Sequence, residues 1–233
     1  MFTLDLIEDL PKVKRVNVNG KRHYVREGGE ITTPYPSVTT VLSSEKESKK
    51  ALHEWRKRVG AETANKISRQ ASGRGTSVHQ MIEDYILGEE HRHEIMPINH
   101  EMFLQLKDVA DNRIGAIRMV EGQMLSDHLR VAGTVDLIAE FDGVMSVVDW
   151  KTAAREKSKS RCKNYFLQES AYAVMFEENT SIPVSQLVTV ITNQEGTCQV
   201  FVEKRDDWID SFVELRNQYE LEQENVMELQ ALS

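Results

Sequence analysis

Residues Gly133 to Lys151 read GTVDLIAEFDGVMSVVDWK, two β-strands joined by a tight turn. Asp142-Gly143 is a strong signal for a two-residue hairpin loop, because a type I′ turn needs positive φ at both central positions. With Phe141 paired to Val144, the register follows by counting. Asp136 falls opposite Asp149, and Thr134 opposite Lys151. Side chains alternate along a strand, so Asp136, Asp149 and Lys151 share one face, with Val135, Leu137 and Trp150 on the other. A three-residue loop would instead put the two aspartates on opposite faces.

Two carboxylates directly opposite, roughly 5 Å apart at Cβ, repel and destabilise a sheet. A divalent cation would compensate, since Mg²⁺ and Mn²⁺ favour carboxylate oxygens. Lys151 adds a fixed positive charge beside it. Cation, carboxylates and lysine on a rigid hairpin suit the charge that develops in phosphoryl transfer. The competing account is a solvated hairpin face with incidental charges, because D-x-K arises often by chance.

Composition narrows the classes. The 233 residues allow one large domain or two small ones, and 40% hydrophobic with 28% charged residues is the balance of a soluble globular protein. No apolar run approaches a membrane span. The start, MFTLDLIEDL, is acidic and resembles neither a signal nor a transit peptide. Cys162 and Cys198 are too few for a four-thiolate zinc or iron–sulfur site and are expected as reduced thiols of a cytosolic protein. The net charge of −8 argues against whole-surface binding to nucleic acid, but the charge is polarised. Residues 45–75 hold nine Lys/Arg against four Glu, and residues 151–163 six against one. Residues 206–228 hold eight acidic residues against Arg216.

From the start, residues 13–26 read as a hairpin around Asn19-Gly20. A loop follows through Gly28-Gly29 and Pro34/Pro36, and Ser37 is a candidate N-cap. Residues 47–70 are helical, with Trp55 expected in the core rather than as a base-stacking platform. Ser72-Gly73-Arg74-Gly75 is expected to break the helix. Val78, Met81, Ile82, Tyr85 and Ile86 then form one apolar stripe, ended by Gly88. His79 and Glu83 lie together on its edge, where a histidine is either a structural residue or a ligand. A helix over about 100–116 with Phe103, Leu106, Ala110 and Ile117 inward precedes a strand over 118–124. After the central hairpin come a helix over 164–178, strands over 186–192 and 197–203, and an acidic helix over about 206–229. The order is helix, three strands, helix, strands, in one α/β domain over 1–233, divided as 1–74, 75–203 and 204–233.

That order, with D…DxK on the second and third strands, resembles the PD-(D/E)XK nuclease superfamily, and within it the RecB-like exonucleases. Four pieces carry the resemblance: Gly75-Thr-Ser-Val-His79-Gln-Met-Ile-Glu83, Gly133-Thr-Val-Asp136, Asp149-Trp-Lys151-Thr152, and Gln168-Glu-Ser-Ala-Tyr172. Pro36-Ser-Val-Thr39 and the compact size are similar to mitochondrial and phage members. The resemblance covers about residues 36–202. It implies an α/β (α+β) fold with a restriction-endonuclease-like core, a central mixed sheet flanked by helices, and a helical N-terminal arch.

The same resemblance implies site roles. His79, Asp136, Asp149 and the Trp150 carbonyl would bind Mg²⁺ or Mn²⁺, and Lys151 would position or activate the attacking water. Gln168 and Tyr172 would shape the site or contact DNA. Glu83 and Glu121 are expected as outlying or second-metal carboxylates. No four-cysteine cluster is present, so no iron–sulfur cluster is implied. Helicase motifs are absent too, so unwinding would need a helicase or single-strand-binding partner, or a single-stranded substrate.

The expected activity is metal-dependent hydrolysis of DNA from single-stranded ends, in replication, recombination or repair, in a bacterial or phage-infected cytosol without membrane attachment. The basic 45–75 segment, with Lys49, Lys50, Arg56, Lys57, Arg58 and Arg74, would track the strand backbone. Alternatively it is a solvated face, or pairs with the acidic C-terminal helix. Two rival functions are a non-cutting DNA-binding replication accessory protein and a structure-specific endonuclease on the same fold.

Overall fold

A computed structural model describes residues 2–7, 9–28, 33–91 and 93–231. The strands are β1 (Thr3–Leu4), β2 (Val13–Val18), β3 (Lys21–Arg26), β4 (Tyr35–Pro36), β5 (Ile114–Ser126), β6 (Val131–Phe141), β7 (Val144–Ala153), β8 (Gln186–Asn193) and β9 (Cys198–Lys204). The helices are α1 (Val38–Leu42), α2 (Lys46–Val59), α3 (Ala61–Leu87), α4 (Pro97–Arg113), α5 (Lys163–Thr180) and α6 (Ile209–Ala231). Six strands form a mixed sheet in the order β1-β5-β6-β7-β8-β9, and β2-β3-β4 form a small second sheet. Strands β5, β6 and β7 are an antiparallel meander. Strand β8 lies parallel to β7, which requires the crossover that α5 supplies. The expected helix, three strands, helix, strands is therefore the observed order, and the mixed sheet flanked by helices is the expected α/β arrangement.

Apolar side chains cover both faces of the sheet. Val78, Met81, Ile82 and Ile86 of α3 pack with Met102, Leu106 and Ala110 of α4 on Leu137, Val148 and Trp150. On the other face, Leu167, Ala171 and Met175 of α5 join Phe212, Leu215 and Tyr219 of α6 and Val38 and Val41 of α1. Helix α1 starts where Ser37 accepts a hydrogen bond from the Thr40 N–H (3.0 Å).

The hairpin turn forms as its sequence demands. Asp142 and Gly143 have φ of 52° and 80°, and Phe141 pairs with Val144. The β6–β7 ladder then runs back only to Leu137–Val148. One step further, where Asp136 would face Asp149, the Trp150 N–H donates to the Asp136 carboxylate (3.0 Å) instead. Strand β6 also fails to alternate there. Val131, Val135 and Ile138 pack toward α5, whereas Leu137, Ala139 and Phe141 pack toward α3 and α4. Val135 thus does not share a face with Leu137 and Trp150. The flanking pairs Val120–Leu137 and Gly122–Val135 set Glu121 across from Asp136, and Glu121 has a left-handed φ of 45°. A non-glycine residue in that region is a costly conformation that native structures concentrate at functional sites.

Three other expectations fail. The Ser72–Gly75 stretch does not break the helix, since α3 runs unbroken from 61 to 87. A mid-helix glycine costs only about 1 kcal/mol against alanine, and the hydrogen-bond ladder continues through it. The break falls at Gly60, with φ 85° and ψ 149°, between α2 and α3. Trp55 is half-buried and belongs to no core cluster, as α2 has no buried residue at all. Helix α4 ends at Arg113, so Ile117 is a strand residue, buried as expected but in β5. The loop expected through Gly28-Gly29 lies partly outside the described residues.

Gly133 is a close approach of sheet and helix. A Cβ placed there would lie 2.7 Å from Tyr172 Cε1 and 3.0 Å from its hydroxyl. Gly133→Ala should therefore lower stability by about 1–3 kcal/mol, as overpacking does. Denaturant unfolding checks this, and adding Tyr172→Leu should recover part of the loss. A full loss in the double variant would trace the effect to the strand instead.

Candidate active site

The site gathers where the β6–β7 ladder opens. Helix α3 brings His79 from one side. Its Nδ1 lies 3.5 Å from Asp136 Oδ2. His79, Glu121 and Asp136 each offer one ligand atom, and these lie within 4.8 Å of one another. Asp149 and Lys151, two residues apart on β7, share a face and form an ion pair. Asp149 is 1% exposed, and neither of its buried oxygens completes a hydrogen bond. The Trp150 N–H points at Asp136, and in a strand the carbonyl of the same residue points to the same side.

Electrostatics follow from this crowding. Burial, then the charges of Asp136 and Glu83, push Glu121 up to about 8. Glu83 is raised by burial and by Asp84, with Asp136 contributing. Burial raises Asp149 as well, and the Lys151 ammonium opposes the shift. Burial alone would lower Lys151, but the charges of Asp149 and Asp136 override it and hold the ammonium charged. Crowded, half-buried carboxylates and an imidazole within reach are a donor set that fits a hard divalent cation.

Sequence reasoning places most of these side chains but ranks them differently. Glu121, expected as an outlying or second-metal carboxylate, stands with His79 and Asp136. Asp149, expected beside Asp136, is also paired with Lys151, and both neighbours act on its carboxyl. Gln168 Nε2 donates to the Tyr172 hydroxyl (3.4 Å), and Tyr172 is buried against Gly133. Glu169 escapes sequence reasoning. It is fully buried, accepts a hydrogen bond from the Thr189 hydroxyl, and keeps Oε2 without a partner. Burial, then the neighbouring Asp149 charge, hold it well above the usual carboxylate range. Its signal is a single acid on the inward stripe Phe166, Glu169, Ala173, Phe176, a spacing that otherwise reads as core.

The basic residues lie on α2 and the first half of α3. Lys49, Lys50, Lys57 and Arg58 are exposed, and Arg56 donates to Asn65 Oδ1 (2.8 Å) across the Gly60 break. Among the described residues none of these five forms an ion pair, and the pair from this segment to the acidic C-terminal helix is Lys46–Glu222 (3.6 Å). Arg74 is half-buried on α3, with its Nε lacking a partner. No helix among the described residues is long and apolar enough to cross a membrane.

An opened β-ladder with D…DxK, a helix-borne histidine and a Q-x-x-x-Y helix on a mixed sheet defines a nuclease core. Residues 37–228 match the model of the PD-(D/E)XK nuclease superfamily, and the chain belongs to that family. Among individual proteins it is similar to mitochondrial genome maintenance exonuclease 1. Identity is 26% over 174 residues for the Xenopus tropicalis protein, covering 70% of this chain and 49% of that one. For the Homo sapiens protein it is 27% over 179 residues, covering 70% and 50%. For the Mus musculus protein it is 25% over 203 residues, covering 76% and 57%. The chain thus spans about half the length of the curated relatives it matches.

Glu121 gives a pH test of the crowding. A carboxyl whose native pKa lies above its unfolded value holds a proton that the unfolded chain has released. Its stabilisation is full below the ordinary glutamate value of 4.5 and is lost as pH rises to about 8. Metal-free protein should therefore melt at lower temperature as pH rises through that window. Glu121→Gln should flatten the slope, and an unchanged slope would remove Glu121 as its source. Thermal scans in chelator from about pH 5 to about pH 8.5 measure both.

Proposed function

We propose that this chain is a metal-dependent DNA exonuclease acting on single-stranded ends. The observation that carries the reading is the ligand triad His79, Glu121 and Asp136 beside the Asp149–Lys151 pair. We assign Mg²⁺ or Mn²⁺ to that triad, with Asp149 and the Trp150 carbonyl completing the donors. The bound ion supplies Lewis acidity and a more acidic water. Lys151 keeps its proton, so it serves as a fixed charge that orients the attacking water and offsets charge on the phosphate. Asp149 holds that ammonium in place. Tyr172 and Gln168 close the wall beside the hairpin. A binding protein that does not cut has no need of a half-buried lysine beside carboxylates, which favours hydrolysis over the accessory role.

The end preference rests on α2 and the first half of α3, read as the arch that the strand passes. Its unpaired basic side chains would meet phosphates. Leu52 and Ile67, 54% and 43% exposed, with the half-buried Trp55, would offer apolar surface to the bases. Selectivity then comes from threading rather than from base reading.

Asp149→Asn should fold and lose at least about 100-fold in cutting, the scale on which charge-stabilising groups act. Lys151→Ala should lose cutting and keep Mn²⁺ binding in a calorimetric titration, because a charged lysine gives no lone pair to an ion. Near-wild-type activity in Asp149→Asn would overturn the metal-hairpin reading.

Replacing Lys49, Lys50, Arg56, Lys57 and Arg58 with alanine should weaken single-stranded DNA binding. The salt dependence should flatten by roughly 0.7 for each phosphate left without its cationic partner. Circular single-stranded DNA should resist the wild type while end-labelled linear DNA is degraded. Rapid cutting of circles would assign the chain to the endonucleases instead.

A further inference from the structure

The segment between β7 and α5 carries a second cationic group that the site described above does not use. Lys157 donates a hydrogen bond to the Tyr165 hydroxyl. Its Nζ lies 4.6 Å from the Tyr165 ring centroid, and Lys151 Nζ lies 5.2 Å from the same centroid. Taken end to end, these distances keep the two ammonium groups at most about 10 Å apart. The position of Lys157 is built. Gln199 of β9 accepts from its backbone N–H (2.8 Å) and donates to its carbonyl (3.1 Å), clamping both sides of one residue to the sheet. Among the described residues Lys157 has no acidic partner, whereas Lys151 is paired with Asp149.

Two ammonium groups against one phenol ring repel each other, and the hydrogen bond to Tyr165 uses one of the three donors on Lys157. The remaining donors of a half-exposed side chain beside the reacting centre suit a singly charged oxyanion. We propose that Lys157, held by Tyr165 and Gln199, is the binding site for the phosphate next to the scissile one on the same strand. Tyr165 is a positioning residue here: it carries Lys157 and separates it from Lys151, so that the two lysines meet successive phosphates. The ligand is a phosphodiester chain of at least two linkages. A single phosphate leaves the second ammonium unmatched.

This inference rests on the nuclease reading, and binding separates the two. Single methylphosphonate linkages, which remove one negative charge each, are walked along a labelled single-stranded oligonucleotide. Affinity is read by fluorescence anisotropy in EDTA for the wild type, Lys157→Ala and Lys151→Ala. In the wild type, two adjacent linkages should each cost about 10-fold when neutralised, as a charge-assisted hydrogen bond does. Lys157→Ala should bind the unmodified strand about 10-fold more weakly and become insensitive at one of those linkages. Lys151→Ala should become insensitive at its neighbour. Tyr165→Phe should retain the ring and shift KM more than kcat, and Gln199→Ala should reproduce part of the Lys157→Ala defect with an unchanged melting temperature. Loss factors that multiply in Lys157→Ala at every linkage would overturn the proposal, as would both lysines becoming insensitive at one linkage. Absence of any cutting by the wild type would instead fail the nuclease reading while the walk still reports on Lys157.

Discussion

Negative charge crowded into a small buried volume is the constraint to which this fold answers. Glu121, Asp136 and Asp149 converge from three adjacent strands, and Glu169 approaches from the helix beneath them. One lysine stands among them. Such a cluster is unfavourable in the metal-free protein, and surrounding packing must hold it. The helices on both faces do so. Leu137, Val148 and Trp150 are locked under α3 and α4, while Tyr172 seals the other face by lying on a residue without a side chain. The core therefore sets the distance between the acids, and their repulsion is balanced by apolar burial.

The irregularity of the central strands follows from the same need. A regular ladder would bury the Asp136 and Asp149 side chains against each other. Ending the ladder at Leu137–Val148 lets the Asp136 carboxylate take the Trp150 amide that a backbone carbonyl would otherwise accept. The left-handed backbone at Glu121 changes the pleat of β5 at the same level. Local sheet stability is lost there, and a crowded, negatively charged site is gained.

Much of this is legible in the sequence because it depends on local rules. Asp142-Gly143 determines the turn, and the turn determines the register. The stripe from Val78 to Ile86 places His79 on an edge. What escapes reading depends on tertiary structure. The glycines at 73 and 75 look like a helix end by propensity, yet no alternative partner draws the backbone away. Trp55 looks like core by hydrophobicity, yet no residue of α2 is buried. Glu121 cannot be ranked among the acids, since its place depends on a backbone angle that an isolated glutamate does not announce. Glu169 sits at core spacing, and only its chemistry marks it. Lys157 and Tyr165 are eight residues apart across a short 3-10 turn and the start of α5, so no single periodicity relates the two side chains.

The unbroken course of α3 has a mechanical side. From Gly60 to His79 is nineteen residues of continuous helix, about 28 Å at about 1.5 Å per residue. The break between α2 and α3 is at the far end, at Gly60. The lower end of the neighbouring helix is moored to α5, where Asn164 donates to Glu45 and Ser48 (both 3.2 Å). Between break and imidazole there is only rod. A force applied at the outer end of α3 therefore arrives at His79 as torque, with the sheet as fulcrum.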